Sequence, residues 1–163
     1  MNNTKVEVDV LNDAVWPVDT AVLTRAAQTT VRLWGPPDAC ALTVVIEDDA
    51  AVAMLNAQFR GIDAPTDVLS FPADAPPVQQ PDDPVYLGDL VIAFPYASAQ
   101  AAREGHALME SLSLLVVHGT LHLLGYDHDG VEARQTMWAA QEAALVTLGL
   151  SPQLVPALEF SGH

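Results

Sequence analysis

The stretch His118-Gly119-Thr120-Leu121-His122-Leu123-Leu124-Gly125-Tyr126-Asp127-His128 holds three of the five histidines of this 163-residue chain. His118 and His122 stand at i and i+4, which on a helix puts both imidazoles on one face about 5–6 Å apart at Cβ. That separation suits two nitrogen ligands of one metal ion. Gly125 offers the left-handed backbone conformation that commonly ends a helix, so the chain can turn back and present His128 as a third ligand. Three protein ligands with a fourth position open describe a catalytic zinc site rather than a structural one. A lone histidine on an apolar helix reads as a core residue, whereas three at this spacing favour a metal. One zinc ion per chain is the expectation, although nickel, copper and iron also accept three imidazoles.

Working outward, Leu112 to Leu124 has few polar positions on any face, which predicts a buried central helix inside a longer one from about Ala107 to Leu124. A last amphipathic helix follows Asp129-Gly130, from Glu132 to about Leu148. Upstream, Pro95 to about Glu104 reads as a helix broken by Gly105, and Tyr86 to Phe94 as a strand apolar enough to be central in a sheet. Ala73 to Pro84 carries four prolines and three aspartates and reads as a surface loop. Val68–Phe71 is a short strand. Ala51 to Phe59 is a short helix with Asp48 or Asp49 as its cap, and Ala41 to Glu47 is a strand. A helix from about Asp19 to Leu33 has Asp19 and Thr20 as plausible caps and is stopped by Gly35-Pro36-Pro37-Asp38. Val6 to Leu11 alternates apolar and polar like a half-buried strand. The whole, residues 1–163, is expected to be one compact α+β domain. A small mixed sheet of about four strands would pack against about five helices, with the buried central helix carrying the metal ligands.

The chain is long enough to bury a core, and half of its residues are hydrophobic, which excludes a disordered acidic tail. No apolar run approaches the ~18 residues that span a bilayer. Met1-Asn2-Asn3-Thr4-Lys5-Val6-Glu7 lacks the basic-then-apolar order of a signal peptide, so a cytoplasmic protein without a membrane partner is expected. The single cysteine, Cys40, reads as a small buried hydrophobe at a strand start; no basic neighbour in sequence favours a reactive thiol. Net charge is −15, with only six Lys plus Arg. Such a field repels polyanions at long range and favours basic protein partners. Any RNA binding must therefore rest on a local patch, a metal or a partner, and no DNA binding is expected.

The histidine and glycine spacing also matches the extended metzincin protease motif, with one departure. Where that motif has its general-base glutamate, this chain has Gly119, so the spacing argues for the metal and the glycine against peptide hydrolysis. His118 to His128 resembles the HGxLHLxGYDH signature of the YbeY family of metal-dependent endoribonucleases. A second block agrees: Leu55-Asn56, Arg60-Gly61 and Pro65-Thr66-Asp67-Val68-Leu69-Ser70-Phe71-Pro72 are similar to the family's LN…RG…PTDVLSFP. Leu87-Gly88-Asp89-Leu90-Val91-Ile92 resembles its LGDIxI strand, and Gly105-His106, Met137 and Leu148-Gly149 fit the flanking pattern. The resemblance runs from about Leu55 to Leu150; the first fifty residues match in layout alone. It implies a single-strand-specific endoribonuclease acting in ribosomal RNA maturation, at the 3′ end of small-subunit rRNA, and in ribosome quality control. It implies ribosomal RNA as substrate, with small-subunit proteins or assembly factors as partners. It carries over His118, His122 and His128 as catalytic zinc ligands, and Arg60 as an arginine near the metal that acts in RNA binding and cleavage. Two positions depart from the family: Ala64 stands where many members have lysine, and Asp129 where many have glutamate.

Arg60 also fits on chemical grounds, because phosphodiester cleavage builds charge on phosphate oxygens that a guanidinium fork can hold bidentately. The plainer alternative is a surface arginine paired with Asp63 or Asp67. Asp127 either hydrogen-bonds a ligand histidine or caps the following turn, with the structural role favoured. Thr66, Asp67 and Ser70 are candidates for holding the bend that aims Arg60, His106 reads as a helix-start or polar-cleft residue, and His163 has no assigned role. The general base stays open between the metal centre itself, Asp127 and a substrate group. Two other functions compete: a zinc hydrolase of peptides or small phosphoesters, and a non-enzymatic ribosome-assembly factor with a structural metal.

Overall fold

The alternation in Cys40–Glu47 sets the central layer of the computed structural model, which describes residues 3–74, 82–152 and 154. This strand, β2, buries Cys40, Leu42, Val44 and Ile46 on one face and leaves Ala41, Thr43, Val45 and Glu47 half-buried on the other. It lies in a four-stranded sheet ordered β1-β2-β4-β3, where β1 is Val6–Leu11, β3 is Val68–Pro72 and β4 is Val85–Ala93. β1, β2 and β4 run parallel, and β3 pairs antiparallel with β4 at the sheet edge. The expected small mixed α+β sheet is the one present. Of the expected loop from Ala73 to Pro84, residues 75–81 lie outside the described residues, as do 1, 2, 153 and the C-terminal 155–163 with His163.

Among the described residues the sheet packs with five α-helices: α1 (Thr20–Trp34), α2 (Asp49–Arg60), α3 (Phe94–Glu104), α4 (Leu108–Leu123) and α5 (Val131–Thr147). Their starts follow local chemistry. Asp19 caps α1 by accepting from the Ala21 amide at 3.1 Å, and Asp48 caps α2 by accepting from Ala51 at 2.7 Å. The fourth strand ends one residue earlier than its apolar run suggests. Pro95, with its fixed φ, sits in the first turn of α3, so Phe94 already belongs to the helix. That helix has no capping side chain of its own; Asp49 on α2 accepts from the Tyr96 amide at 2.9 Å instead and ties the two helices together.

The main core joins the buried face of β2 to α1, α4 and α5, and a smaller cluster of Val52, Leu69, Val91 and Ala93 fills the other face under α2 and α3. Every residue from Ser111 to Leu121 is buried, as the apolar run predicts. Helix α4 is pressed so closely on the sheet that a Cβ at Gly119 would stand 2.7 Å from Leu90 Cδ2 and 3.2 Å from Ser70 Oγ. Gly119 therefore turns its missing side chain towards the sheet, and close packing accounts for it. No helix among the described residues is long and apolar enough to cross a membrane.

Candidate metal centre

The end of α4 builds the site. Gly125 adopts φ +98°, and the Tyr126 amide returns to the Leu121 carbonyl at 3.0 Å, so the chain reverses after the last turn. The reversal carries His128 back against the helix. Ring centroids are 4.7 Å apart for His118 and His122, 5.1 Å for His122 and His128, and 5.5 Å for His118 and His128. One ligand nitrogen from each lies within 4.8 Å of the others, so the group could hold a metal ion. His118 is 1% exposed, while His122 and His128 are half-buried and open to a cleft.

Hydrogen bonds behind the rings test whether a cation fits. His122 Nδ1 lies 3.0 Å from the Tyr126 carbonyl oxygen, which can only accept, so Nδ1 donates and Nε2 presents a lone pair. His118 Nδ1 lies 2.9 Å from Gln141 Oε1, an acceptor on α5, and its Nε2 is turned the same way. The two Nε2 atoms then face each other at 3.1 Å. Two lone pairs at that distance repel unless a proton or a metal ion sits between them, and bonding of the outer nitrogen to a carbonyl or amide is the usual support of a ligating histidine. The donor set fits zinc. Trp138 on α5 closes the back of the site, with its ring edge-on to His118 at 5.8 Å and to His128 at 5.7 Å.

Arg60 lines the same cleft. It is the last residue of α2, exposed, and followed by Gly61 in the left-handed conformation at φ +72°. No ion pair between Arg60 and Asp63 or Asp67 is found among the described residues. A cleft of about 520 Å³ joins Arg60 and Phe59 to the three histidines and Asp127, with β3 along its floor. The turn beyond Arg60 is held by Asn56, whose amide donates to the Ala64 carbonyl at 2.8 Å, and by buried Asp67, which accepts from the Val68 amide at 2.8 Å. Ser70 Oγ instead lies 3.4 Å from the Gly119 carbonyl and joins β3 to α4.

The remaining expected residues separate. Asp127 accepts from the His128 amide at 2.8 Å, the turn-holding role, and also lines the cleft. His106 stands at the start of α4 with Nδ1 3.7 Å from the Glu104 carboxylate, outside the cleft lining. Cys40 is fully buried, and burial, followed by the charge of Asp38, raises its thiol pKa. Gln141 and Trp138 carry no signal in the sequence, because they reach the histidines from a helix whose own pattern is merely amphipathic.

A family model described as Endoribonuclease YbeY matches residues 12–149. A protein named Endoribonuclease YbeY from Roseiflexus castenholzii is 45% identical over 149 residues, covering 90% of this chain and 94% of its own. Proteins of the same name from Chloroflexus aggregans and Geobacillus kaustophilus are similar too. The first is 44% identical over 147 residues, 88% of this chain and 96% of its own. The second is 37% identical over 153 residues, 90% and 98%. A solution structure of a Thermotoga maritima protein shares the fold with a TM-score of 0.52 at 22% identity, covering 87% of this chain and 90% of that one.

Proposed function

The chain belongs to the endoribonuclease YbeY family, and from that membership and the cleft we propose that it is a zinc-dependent endoribonuclease cleaving single-stranded ribosomal RNA. Its roles would be maturation of the 3′ end of small-subunit rRNA and ribosome quality control, in the cytoplasm where that RNA is processed. One observation carries the reading: an arginine and a histidine triad that could hold a metal, 58 residues apart in sequence, line one cleft. His118, His122 and His128 would hold the zinc, which when bound supplies Lewis acidity and a nucleophile at neutral pH.

The chain's own residues do the rest. Gln141 and the Tyr126 carbonyl fix the Nδ1 protons of His118 and His122 and keep both Nε2 atoms aimed at one point. Arg60 grips the non-bridging oxygens of the scissile phosphate and stabilises the charge that grows there. Asp127 is the one carboxylate among the described residues lining the cleft, which makes it the side chain available to accept the nucleophile's proton. Gly119 cannot be replaced by a protease-type base without displacing Leu90.

Cleavage of a single-stranded RNA by wild type, Arg60→Ala and Arg60→Lys tests the assignment. Losing a donor aimed at developing charge costs about 10²–10³ in kcat, so Arg60→Ala should fall by that factor and Arg60→Lys by less. Unchanged cleavage by Arg60→Ala would remove Arg60 from the site. Product ends separate attack by water from attack by the 2′-hydroxyl, because the latter leaves a 2′,3′-cyclic phosphate. A second reading has one observation in its favour: β3 is an edge strand along the cleft, the feature on which an extended peptide can be laid. Peptide hydrolysis without RNA cleavage would support it.

A further inference from the structure

We propose that Phe59 is a stacking platform for the nucleobase next to the phosphate gripped by Arg60, an assignment that rests on the endoribonuclease reading above. Phe59 precedes Arg60 in the last turn of α2, lines the metal cleft, and is 59% exposed. Exposure alone does not set Phe59 apart, because Met54 and Ile62 nearby are exposed too; its place in the lining of the cleft beside Arg60 does. The ring is not free to wander. It packs edge-to-face on Phe71 of β3, with centroids 5.2 Å apart and planes at 68°. Phe71 is half-buried against the small cluster of Val52, Leu69, Val91 and Ala93, so the pair is anchored to the sheet.

Size and charge both favour a base. A cleft of about 520 Å³ exceeds what a metal ion and a phosphate fill and falls in the range of small-molecule sites. With a net charge of −15, and Arg60 as the one permanent cation among the described lining residues, release of counterions from RNA contributes little affinity. Stacking does not depend on charge and accepts any base, because each has a π-face. Beyond the arginine and the metal-binding histidines, which act on phosphate, an aromatic contact supplies affinity for the base itself, and Phe59 is placed beside that arginine to provide it.

The test uses the zinc-loaded full chain and a short single-stranded RNA carrying 2-aminopurine beside the cleavage site, read by quenching of its fluorescence and by cleavage. Phe59→Ala should weaken binding by about 5–150-fold, the factor corresponding to roughly 1–3 kcal/mol of stacking per base, and the loss should appear in KM more than in kcat. Phe59→Tyr should retain wild-type affinity, while Phe59→Leu, equally apolar, should resemble Phe59→Ala. An RNA abasic at that nucleotide should bind wild type and Phe59→Ala alike, which a merely structural role for Phe59 would not produce. Equal quenching and KM for wild type and Phe59→Ala would overturn the assignment, as would a difference that persists on the abasic RNA. If wild type binds and quenches the RNA without cutting it, the enzymatic reading fails while the stacking contact is still measured. If it does neither, both fail.

Discussion

Replacing Gln141 with leucine tests the support behind the metal site. Gln141 is fully buried, and its Oε1 takes the His118 Nδ1 proton at 2.9 Å. Leucine keeps the apolar volume and removes the acceptor, leaving a buried N–H without a partner and releasing the tautomer that turns Nε2 inward. The orphaned donor costs about 1–3 kcal/mol. Part of this is offset, because the Gln141 Nε2 that disappears has no hydrogen-bond partner among the described residues. A net loss of about 1–2 kcal/mol corresponds to roughly 2–8 °C in Tm for a chain of this size. The larger effect is on the metal, where losing such outer support lowers affinity by about 10–100-fold. Competition between the protein and a zinc chelator, followed by absorbance, measures that ratio for wild type, Gln141→Leu and His122→Ala. Zinc affinity within twofold of wild type in Gln141→Leu, with His122→Ala strongly weakened, would show that Gln141 merely packs.

Three further outcomes are expected. Gly119→Ala drives a methyl to within 2.7 Å of Leu90 Cδ2, and the overpacking cost, less the ~1 kcal/mol that alanine gains over glycine inside a helix, should leave a net loss of about 1–2 kcal/mol in urea; the same change beside Leu90→Ala should be neutral or stabilising, and equal costs in both backgrounds would contradict the close packing. Asp48→Ala removes the α2 cap and should cost about 1 kcal/mol, with a shift in urea midpoint below a few tenths of that refuting the cap's role. Burial, then Asp38, raises the Cys40 pKa, so the native state keeps the thiol proton where the unfolded chain releases it. Stability should therefore be level below the ordinary thiol range and fall as pH rises above it, with a smaller fall in Cys40→Ala; identical urea midpoints against pH in the two proteins would contradict this sign.

Much of the fold is written in local pattern. The period-2 alternation of Cys40–Glu47 and the aspartates before α1 and α2 are signals that each segment carries by itself, and they place these elements to within one or two residues. The end of β4 escaped because Phe94 continues an apolar run and only Pro95 shows where the helix begins. The histidine triad is legible because its geometry is made by one helix and the turn that ends it. Arg60 is legible through the resemblance of its block to the family pattern, and among the described residues no ion pair ties it to Asp63 or Asp67. Gln141, Trp138 and Phe59 are not legible in the sequence: their contacts with His118, His128 and Phe71 join separate segments, and nothing at their own positions separates them from ordinary amphipathic residues. Gly119 was half-read. Its lack of a carboxylate is plain in the sequence, but its closeness to Leu90 exists only once α4 lies on the sheet.

The proposed site pairs a zinc ion, held by His118, His122 and His128 and needed for RNA cleavage, with Arg60 in the same cleft. Metal content by elemental mass spectrometry, measured beside cleavage of single-stranded RNA by wild type and His122→Ala, tests it most directly. About one zinc per wild-type chain is expected, with zinc and cleavage lost together in a folded His122→Ala protein and cleavage by stripped wild type restored on adding zinc. Undiminished cleavage by wild type after all metal has been stripped, or by metal-free His122→Ala, would contradict it.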